Sequence, residues 1–545
     1  MDRDPTSRSD AISFTWIAAA AFVVIVPFFW LGTPSGHDFE FHFNSWVEVV
    51  EHWQQGVIFP HWAALAHYGY GEARFIFYPP ASWTLGALLG KILPWTIVPA
   101  AYIWISLVLA GTAMYALAGN WVNKRDALFA AILYLANPYS LLVVYWRSAQ
   151  AELLAAAYVP LLLLWVLRSD ESSNRVVPPL AMLLALGWLT NIPAAVMMQY
   201  SLALLAVVVA VRRRTWKPVL NACYATSAGA ALAAIYLVPA FHQQSWASLG
   251  QVFSPGVRPQ DNFLFRLTSD ADHNRFNLLV SCIAVWEIAL LVLVLALWRR
   301  KPERTQWWPL TIWGAATAFV MLNISSPLWS YLPKLQYVQL PWRWLVCLNV
   351  PVAMALFMAL RRWWSRLLVT GIFIAAVPFL AHRVLAPWWD TAGDIREMVD
   401  NQQSGIGNEG ADEYVPAGTD PYAIDQNAPP ARFEGAGDAK IQIVRWNAED
   451  RAITADSNSS GELVLRLFAY PLWKVHINGR LVRTKATPGT GQLVIPLPAG
   501  RSDVQIRFVE GLDRSTGAAI SLITLFALAL WYKRSSRSSP AVAES

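Results

Sequence analysis

The sequence predicts a mainly α-helical, polytopic membrane protein with a C-terminal β-sandwich domain outside the membrane. Hydrophobic residues make up 56% of its 545 residues and charged residues only 14%, a balance too apolar for a soluble globular chain. Along most of the chain, apolar runs long enough to cross a bilayer alternate with short basic clusters. Towards the C-terminus, short segments between turn residues replace these runs, which is typical of β-strands.

The basic clusters also indicate how the chain crosses the membrane. They mark cytoplasmic loops under the positive-inside rule, so the formal net charge of +6 requires no nucleic-acid partner. The segment 81–95 is short and flanked by prolines, and we expect it to lie in the outer interface. We predict about twelve spans with both termini cytoplasmic, near residues 12–32, 98–119, 127–146, 153–167, 177–191, 194–211, 219–240, 277–298, 307–323, 344–360, 367–385 and 515–532.

These spans divide the chain into four parts. The predicted parts are a transmembrane domain (1–385) with an outer loop (33–97), a linker (386–437), a β domain (438–514), and a final transmembrane helix with a cytoplasmic tail (515–545). In the outer loop, apolar residues at helical spacing from Phe43 to Trp53 predict an interfacial helix lying flat on the membrane. Glu48, Glu51 and His52 fall on its opposite, polar side.

Asp38 is the primary catalytic candidate, because it follows the first span directly. A carboxylate at the mouth of a helical bundle can accept a proton from an incoming hydroxyl. A structural alternative is a capping box, in which Ser35 and Asp38 begin the following helix. A divalent metal held by Asp38, Glu40 and His42 is a further alternative, and we predict no other cofactor.

Two arginines at outer helix ends are candidates for binding a phosphate group. Arg147 lies in the short turn before Glu152, which would orient it, and Arg343 follows Gln339 at another outer helix end. A guanidinium group can hold a phosphate by forked hydrogen bonds. The alternative for each arginine is that its side chain extends to the lipid headgroups.

Glu287 lies near the middle of a predicted span. An ionisable residue at that depth normally faces the bundle interior and is a functional candidate by default. The alternative is a neutral, protonated acid that forms a hydrogen bond with a neighbouring helix.

An aromatic loop between Tyr68 and Pro80 is the last candidate. Aromatic faces stack on sugar rings, so His37 and the loop residues Tyr70, Glu72, Arg74 and Tyr78 are candidates for binding a sugar or an acceptor. The alternative is an aromatic belt at the membrane interface.

Several motifs resemble known families. With Asp38 behind the first span and the Tyr78-Pro79-Pro80 sequence, the N-terminal third resembles the C-type glycosyltransferase superfamily (GT-C). The sequences at 36–38, 59–62 and 69–80 resemble bacterial membrane proteins described as 6-pyruvoyl-tetrahydropterin-synthase-related. The segment 470–500 is similar to the outer domain of YfhO-like membrane proteins.

The resemblance implies an enzyme of the bacterial inner membrane that uses polyprenyl-phosphate-linked sugars at the outer leaflet. On this hypothesis Asp38 is the catalytic base, and Arg147 and Arg343 bind the lipid phosphate. The acceptor would be an envelope glycan, lipid or protein. Two alternatives remain open, namely a transporter or lipid flippase that uses Glu287, and a catalytically inactive envelope scaffold that presents the β domain.

Overall fold

The computed structural model describes residues 5–169, 174–298, 307–360, 362–372, 375 and 388–537. Its longer helices are Pro5–Ile25, Phe39–Gln54, Pro80–Gly90, Val98–Ala118, Lys124–Leu135, Tyr158–Leu167, Val177–Thr190, Ile192–Arg213, Lys217–Leu232, Ala234–Gln243, Ala271–Trp298, Trp307–Val320, Leu345–Ala359, Ala392–Gln403 and Leu512–Arg537. Shorter helices include Ala66–Gly69, Arg74–Phe77, Pro138–Leu142, Val143–Arg147 and Gln150–Ala155. The mainly helical class is thus confirmed.

Seven helical stretches in the described residues are long and apolar enough to cross a membrane. They are Asp10–Leu31, Val98–Ala118, Lys124–Arg147, Gln150–Leu167, Ile192–Arg213, Ala271–Leu297 and Leu512–Arg534, and a pair bent by 74° (Lys217–Leu232 with Ala234–Trp246) raises the number to eight. The predicted spans 177–191, 307–323 and 344–360 coincide with shorter apolar helices. Most of the predicted span 367–385 lies outside the described residues.

The two ends of this helical bundle differ in character. At one end, Lys124 Nζ lies 2.8 Å from Asp10 Oδ1, and Arg366 pairs with Asp126. The stretch Lys124–Arg147 runs from this end to the opposite one. There the chain leaving the first span forms a two-residue strand that pairs with a strand preceding the C-terminal domain, at Thr33–Pro34 and Trp389–Asp390. Basic residues of the predicted cytoplasmic loops and the Asp38 region therefore lie at opposite ends.

The helix Phe39–Gln54 is more deeply packed than an interfacial helix. Trp46 stacks on Tyr102 with 4.9 Å between ring centroids, and Gly86 leaves the space that the indole fills. On its polar side Glu48 is 1% exposed and His52 is 0% exposed. Other parts of the chain cover Glu48 and His52, so this side does not face solvent, which disagrees with the prediction of a helix lying flat on the membrane. Periodicity identifies an amphipathic helix, but it does not reveal what covers either face.

The C-terminal domain is a β-sandwich. Strands are numbered along the chain as β1 (Thr33–Pro34), β2 (Trp389–Asp390), β3 (Ala431–Gly435), β4 (Ala439–Trp446), β5 (Asp450–Ser457), β6 (Gly461–Phe468), β7 (Trp473–Ile477), β8 (Arg480–Val482), β9 (Lys485–Ala486), β10 (Gln492–Leu497) and β11 (Gly500–Phe508). One sheet has the order β3-β6-β10-β9 and the other β4-β5-β11-β7-β8. The predicted domain is confirmed, although β3 falls in the segment predicted as linker.

The aromatic loop and Trp62, which precedes it, pack into the core of this β domain. Trp62 contacts Tyr470 and Trp473, with 5.6 and 5.7 Å between ring centroids. Tyr70 is 0% exposed, and its hydroxyl donates to the Asp425 carbonyl at 2.9 Å. The expected sugar-binding role of Tyr70 and the membrane-belt alternative both disagree with this burial. The loop instead joins the transmembrane and outer domains.

A buried ion pair within the aromatic loop supports its packing against the rest of the protein. Arg74 Nε lies 2.5 Å from Glu72 Oε1, and His67 Nε2 lies 2.9 Å from Glu72 Oε2, which also accepts from the Ala411 amide at 2.7 Å. Burial alone would raise the pKa of Glu72, but Arg74 and His67 bring it below its usual value. Since both side chains are buried and paired inside the protein, this environment disagrees with the predicted role of Glu72 and Arg74 in binding a sugar.

We expect Glu72→Gln to destabilise the protein by roughly 3 to 5 kcal/mol, because it leaves the Arg74 guanidinium buried without a counter-charge. Thermal unfolding in detergent measures this effect. Glu434→Gln is the matched control, since Glu434 forms an exposed pair with Arg432 whose loss costs less than about 1 kcal/mol. Equal destabilisation by the two substitutions would contradict this account.

Candidate active site

A cavity of about 620 Å³ lies where the bundle meets the outer loop. Four of its lining residues are charged side chains predicted from the sequence, namely Asp38, Arg147, Glu152 and Arg343. His37, Tyr78 and Gln339 also line it. The fold thus brings together residues that are more than 300 positions apart in the sequence.

Asp38 enters the cavity directly before the helix Phe39–Gln54. Its side chain makes no capping hydrogen bond, so the capping-box alternative is wrong. Oδ2 accepts a hydrogen bond from Arg147 Nη2 at 3.0 Å, and the side chain is 36% exposed. Burial alone would raise its pKa, but Arg147, His42 and Arg343 bring it below the usual value. The carboxylate is therefore ionised at neutral pH.

The backbone around Gly36 fixes the position of Asp38. The Asp38 amide donates to the Arg147 carbonyl at 2.9 Å, and the Gly36 amide donates to Ser148 Oγ at 3.1 Å. Ser148 Oγ in turn donates to the Pro34 carbonyl at 2.9 Å. A Cβ atom on Gly36 would lie only 2.2 Å from the Trp146 carbonyl oxygen. Only glycine therefore allows the two chain segments to approach this closely.

Glu152 holds the two arginines together. It is 2% exposed, and its Oε2 lies 2.7 Å from Arg147 Nη1 and 3.1 Å from Arg343 Nε. Its other oxygen accepts a hydrogen bond from the Tyr139 hydroxyl at 2.5 Å. Arg147 is 3% exposed, so it does not extend to the headgroups. Tyr139 was not predicted from the sequence, because it lies in an apolar run and belongs to no recognisable motif.

Arg343 is positioned from its other side by the backbone and by Gln339. Nη1 donates to the Val338 carbonyl at 2.9 Å and to Gln339 Oε1 at 3.0 Å, while Gln339 Nε2 donates to the Val252 carbonyl at 2.9 Å. The Arg343 residue is 8% exposed. Its Nη2 donates no hydrogen bond to any residue that the structure describes, and this group is available to a ligand in the cavity.

The other predicted residues near Asp38 differ in their surroundings. His37 and Tyr78 line the cavity, as expected for residues that contact a substrate. His42 is 3% exposed, and burial lowers its pKa to about 4, so it is neutral. Glu40 is exposed to solvent. The described part of the chain contains no group of three His, Cys, Asp or Glu side chains placed to hold a metal ion, so Asp38, Glu40 and His42 do not form the predicted alternative site.

Glu287 lies apart from this cavity. It is 2% exposed within the helix Ala271–Trp298, next to the backbone of Tyr139. Its burial in the bundle is as predicted, and it forms no ion pair with a residue that the structure describes.

Glu413 and Tyr414 are cavity residues that sequence reasoning missed. They belong to the segment predicted as linker, where they form one turn of 3-10 helix at Asp412–Tyr414. Burial raises the pKa of Glu413 to about 7. The sequence signal available for these residues was the acidic pair Asp412 and Glu413 before Tyr414, in a segment otherwise rich in small residues.

The cavity therefore combines a proton acceptor with cationic groups. Asp38 uses one carboxylate oxygen on Arg147, and the structure gives its Oδ1 no hydrogen bond to a described residue. The guanidinium groups of Arg147 and Arg343 face the carboxylates of Asp38 and Glu152, so the charges of this cluster balance without a ligand. Such a site can accept a proton at the Asp38 edge and bind an anionic group at the Arg343 edge.

The chain belongs to a family of membrane proteins. Residues 75–388, more than half of the sequence, match the family described as 6-pyruvoyl-tetrahydropterin synthase related domain; membrane protein. The match includes Arg147, Glu152 and Arg343 and begins after Asp38. No curated protein matches the chain.

Among solved structures, the chain is similar to ArnT from Cupriavidus metallidurans bound to undecaprenyl phosphate. The two chains are 15% identical, with a TM-score of 0.43. The comparison covers 68% of this chain and 65% of the ArnT chain.

We expect Gly36→Ala to lower ligand binding in the cavity and the unfolding temperature, because the added Cβ separates the Asp38 segment from Trp146 and Arg147. Thermal unfolding and binding assays in detergent measure both effects. Gly250→Ala is the control, since a Cβ there meets no atom within 4 Å. If the two variants behave alike, the close approach at Gly36 does not hold the site together.

Proposed function

We propose that the protein is a membrane glycosyltransferase of GT-C type, which moves a sugar from a polyprenyl-phosphate donor to an acceptor at the outer face of the bacterial inner membrane. The observation that carries this proposal is the ionised Asp38 beside the Arg147, Glu152 and Arg343 cluster in a cavity at one end of the bundle. Both a base and an anion-binding group are needed for transfer from a lipid phosphate.

The distribution of basic residues supports the outer face as the place of reaction. Lys124 and Arg366 lie at the end of the bundle opposite Asp38, together with the acidic partners Asp10 and Asp126. Under the positive-inside rule the basic end is cytoplasmic, with both termini on that side. The Asp38 cavity and the β domain then face the extracytoplasmic side, where lipid-linked sugars are used.

In the proposed reaction, the acceptor hydroxyl attacks the anomeric carbon of the donor sugar. The new bond joins the acceptor oxygen to that carbon, and the bond from the carbon to the phosphate oxygen breaks. Asp38 Oδ1 takes the hydroxyl proton, and the electron pair of the broken bond remains on the lipid phosphate. Asp38 acts here as a general base whose pKa stays low because of Arg147.

The arginines stabilise the leaving phosphate. Negative charge on its oxygen grows as the glycosidic bond breaks, and a preorganised guanidinium group favours this charge more than it favours the ground state. Arg343 Nη2 provides the free donor, while Glu152, Gln339 and Tyr139 hold the cluster in place. His37, Tyr78 and Glu413 would contact the sugar or the acceptor.

We expect Asp38→Asn to lower the transfer rate by about 100-fold to 10,000-fold, because the amide keeps the shape but cannot accept the proton. The assay follows transfer from a polyprenyl-phosphate-linked sugar by mass spectrometry of lipids and envelope glycans. Glu40→Gln is the matched control, since Glu40 is exposed two residues away and should leave the rate within about twofold.

Full activity of the Asp38→Asn protein would reject this assignment. The burial of Glu287 inside the bundle favours a transporter as the second candidate, and proton-coupled flux lost in Glu287→Gln but retained in Asp38→Asn would support it. A third outcome is that Asp38→Asn and Glu287→Gln both leave the cellular phenotype unchanged, and only deletion of residues 438–510 alters it. The protein would then be a scaffold that presents the β domain.

A further inference from the structure

A second cavity, of about 660 Å³, lies between the outer loop and the β domain. Asp38 at the N-terminal end of the helix Phe39–Gln54 lines the first cavity, whereas one side of the second is lined by residues from the C-terminal end of this helix, namely Val47, Glu48, Val50, Glu51, His52 and Gln54. Trp446, Arg451 and Arg466 of the β domain line the other side. The two cavities thus share one helix but no charged side chain.

Two arginines in the second cavity lack counter-charges. Arg451 is 1% exposed, and its guanidinium lies over the rings of Trp446 and Trp473 at 4.3 and 5.5 Å from their centroids. Neither Arg451 nor Arg466 forms an ion pair with a described residue. Burial, and then repulsion from Arg466, lower the pKa of Arg451 to about 9. A buried cation without a partner is costly, so an anion between the two arginines would stabilise the protein.

Several polar atoms on residues that line this cavity are buried and have no hydrogen-bond partner in the described residues. They are Arg451 Nη1, Arg466 Nε, Glu48 Oε2 and Gln402 Oε1. Buried polar groups are normally paired in folded proteins. Unpaired donors and acceptors on residues that line one cavity indicate a polar ligand with several hydroxyl groups.

The acidic side chains of the cavity oppose an anion only weakly at neutral pH. Burial raises the pKa of Glu48 to about 8 and that of Glu51 to about 7. Lys91 also lines the cavity, so the lining as a whole carries a net positive charge. Trp95 and Trp446 add apolar surface, and the volume lies in the range of small-molecule sites.

We propose that this second cavity binds a sugar that carries a carboxylate or a phosphate group. Arg451 and Arg466 bind the anionic group, while Glu48 and Gln402 form hydrogen bonds with ring hydroxyls. The indole rings contact the apolar face of the sugar. The site does not depend on the proposed transfer reaction.

Isothermal titration of the full-length protein in nanodiscs tests the site with four probes: glucuronate, glucose 1-phosphate, glucose and inorganic phosphate. We expect one or both charged sugars to bind about tenfold more tightly than glucose and inorganic phosphate, and the better of the two identifies the anionic group. Arg466→Gln should weaken this binding about tenfold. Arg445→Gln is the control, because Arg445 pairs with Asp450 at 2.9 Å and does not line the cavity.

Two further variants keep the test decisive if Arg466→Gln folds poorly. Glu51→Gln should tighten binding at pH 8, because it removes a carboxylate that repels the ligand. Asp38→Asn should leave binding unchanged, which separates this site from the proposed catalytic one. The proposal is overturned if no charged sugar binds, if glucose or inorganic phosphate binds as tightly, if Arg466→Gln or Glu51→Gln has no effect, or if Asp38→Asn abolishes binding.

Discussion

The buried bridge through Arg147 is the interaction on which the rest of the structure depends. Its guanidinium joins Asp38 of the outer loop to Glu152 of the next span, at 3.0 and 2.7 Å. Removing Glu152 would leave the buried Arg343 without its carboxylate partner, which is far more costly than losing an exposed ion pair. The bridge therefore fixes the outer loop on the bundle and also sets the ionisation of Asp38.

The outer loop connects this bridge to the β domain. Its helix Phe39–Gln54 begins beside the charged cluster, and the following loop inserts Trp62 and Tyr70 into the sandwich core. The outer loop thus joins the domains and also contributes residues to the walls of two cavities. A protein built in this way can bind one ligand against the membrane and a second one under the outer domain.

Much of this architecture was predictable because it depends on local patterns. Apolar length identified the spans, and turn residues such as Asn478-Gly479 identified the strands. Strand β5 is not evident from the sequence, because its inward positions include Arg451, Ala455 and Ser457 beside a single large apolar residue, Ile453. Alternation of bulky apolar residues, which predicts a strand, is therefore weak there.

The candidate site was predictable in part. Asp38, Arg147, Glu152 and Arg343 were identifiable because each lies near the predicted outer end of a span, where a phosphate or an acceptor could reach it. Glu72 and Arg74 were equally plausible candidates from the sequence, but the folded chain pairs them with each other and with His67, and neither lines the cavity. Whether a buried charge serves a ligand or the fold is decided by its partners, and most of these are distant in the sequence.

The most direct test of the account is the binding of a polyprenyl phosphate, measured by native mass spectrometry of the protein in nanodiscs. We predict that the protein binds this lipid and that Arg343→Gln weakens binding about tenfold or more. Arg275→Gln should leave binding unchanged, because Arg275 is 81% exposed at the start of the helix Ala271–Trp298. Equal binding by the unaltered protein and the Arg343→Gln variant would contradict the assignment of the charged cluster as the lipid-phosphate site.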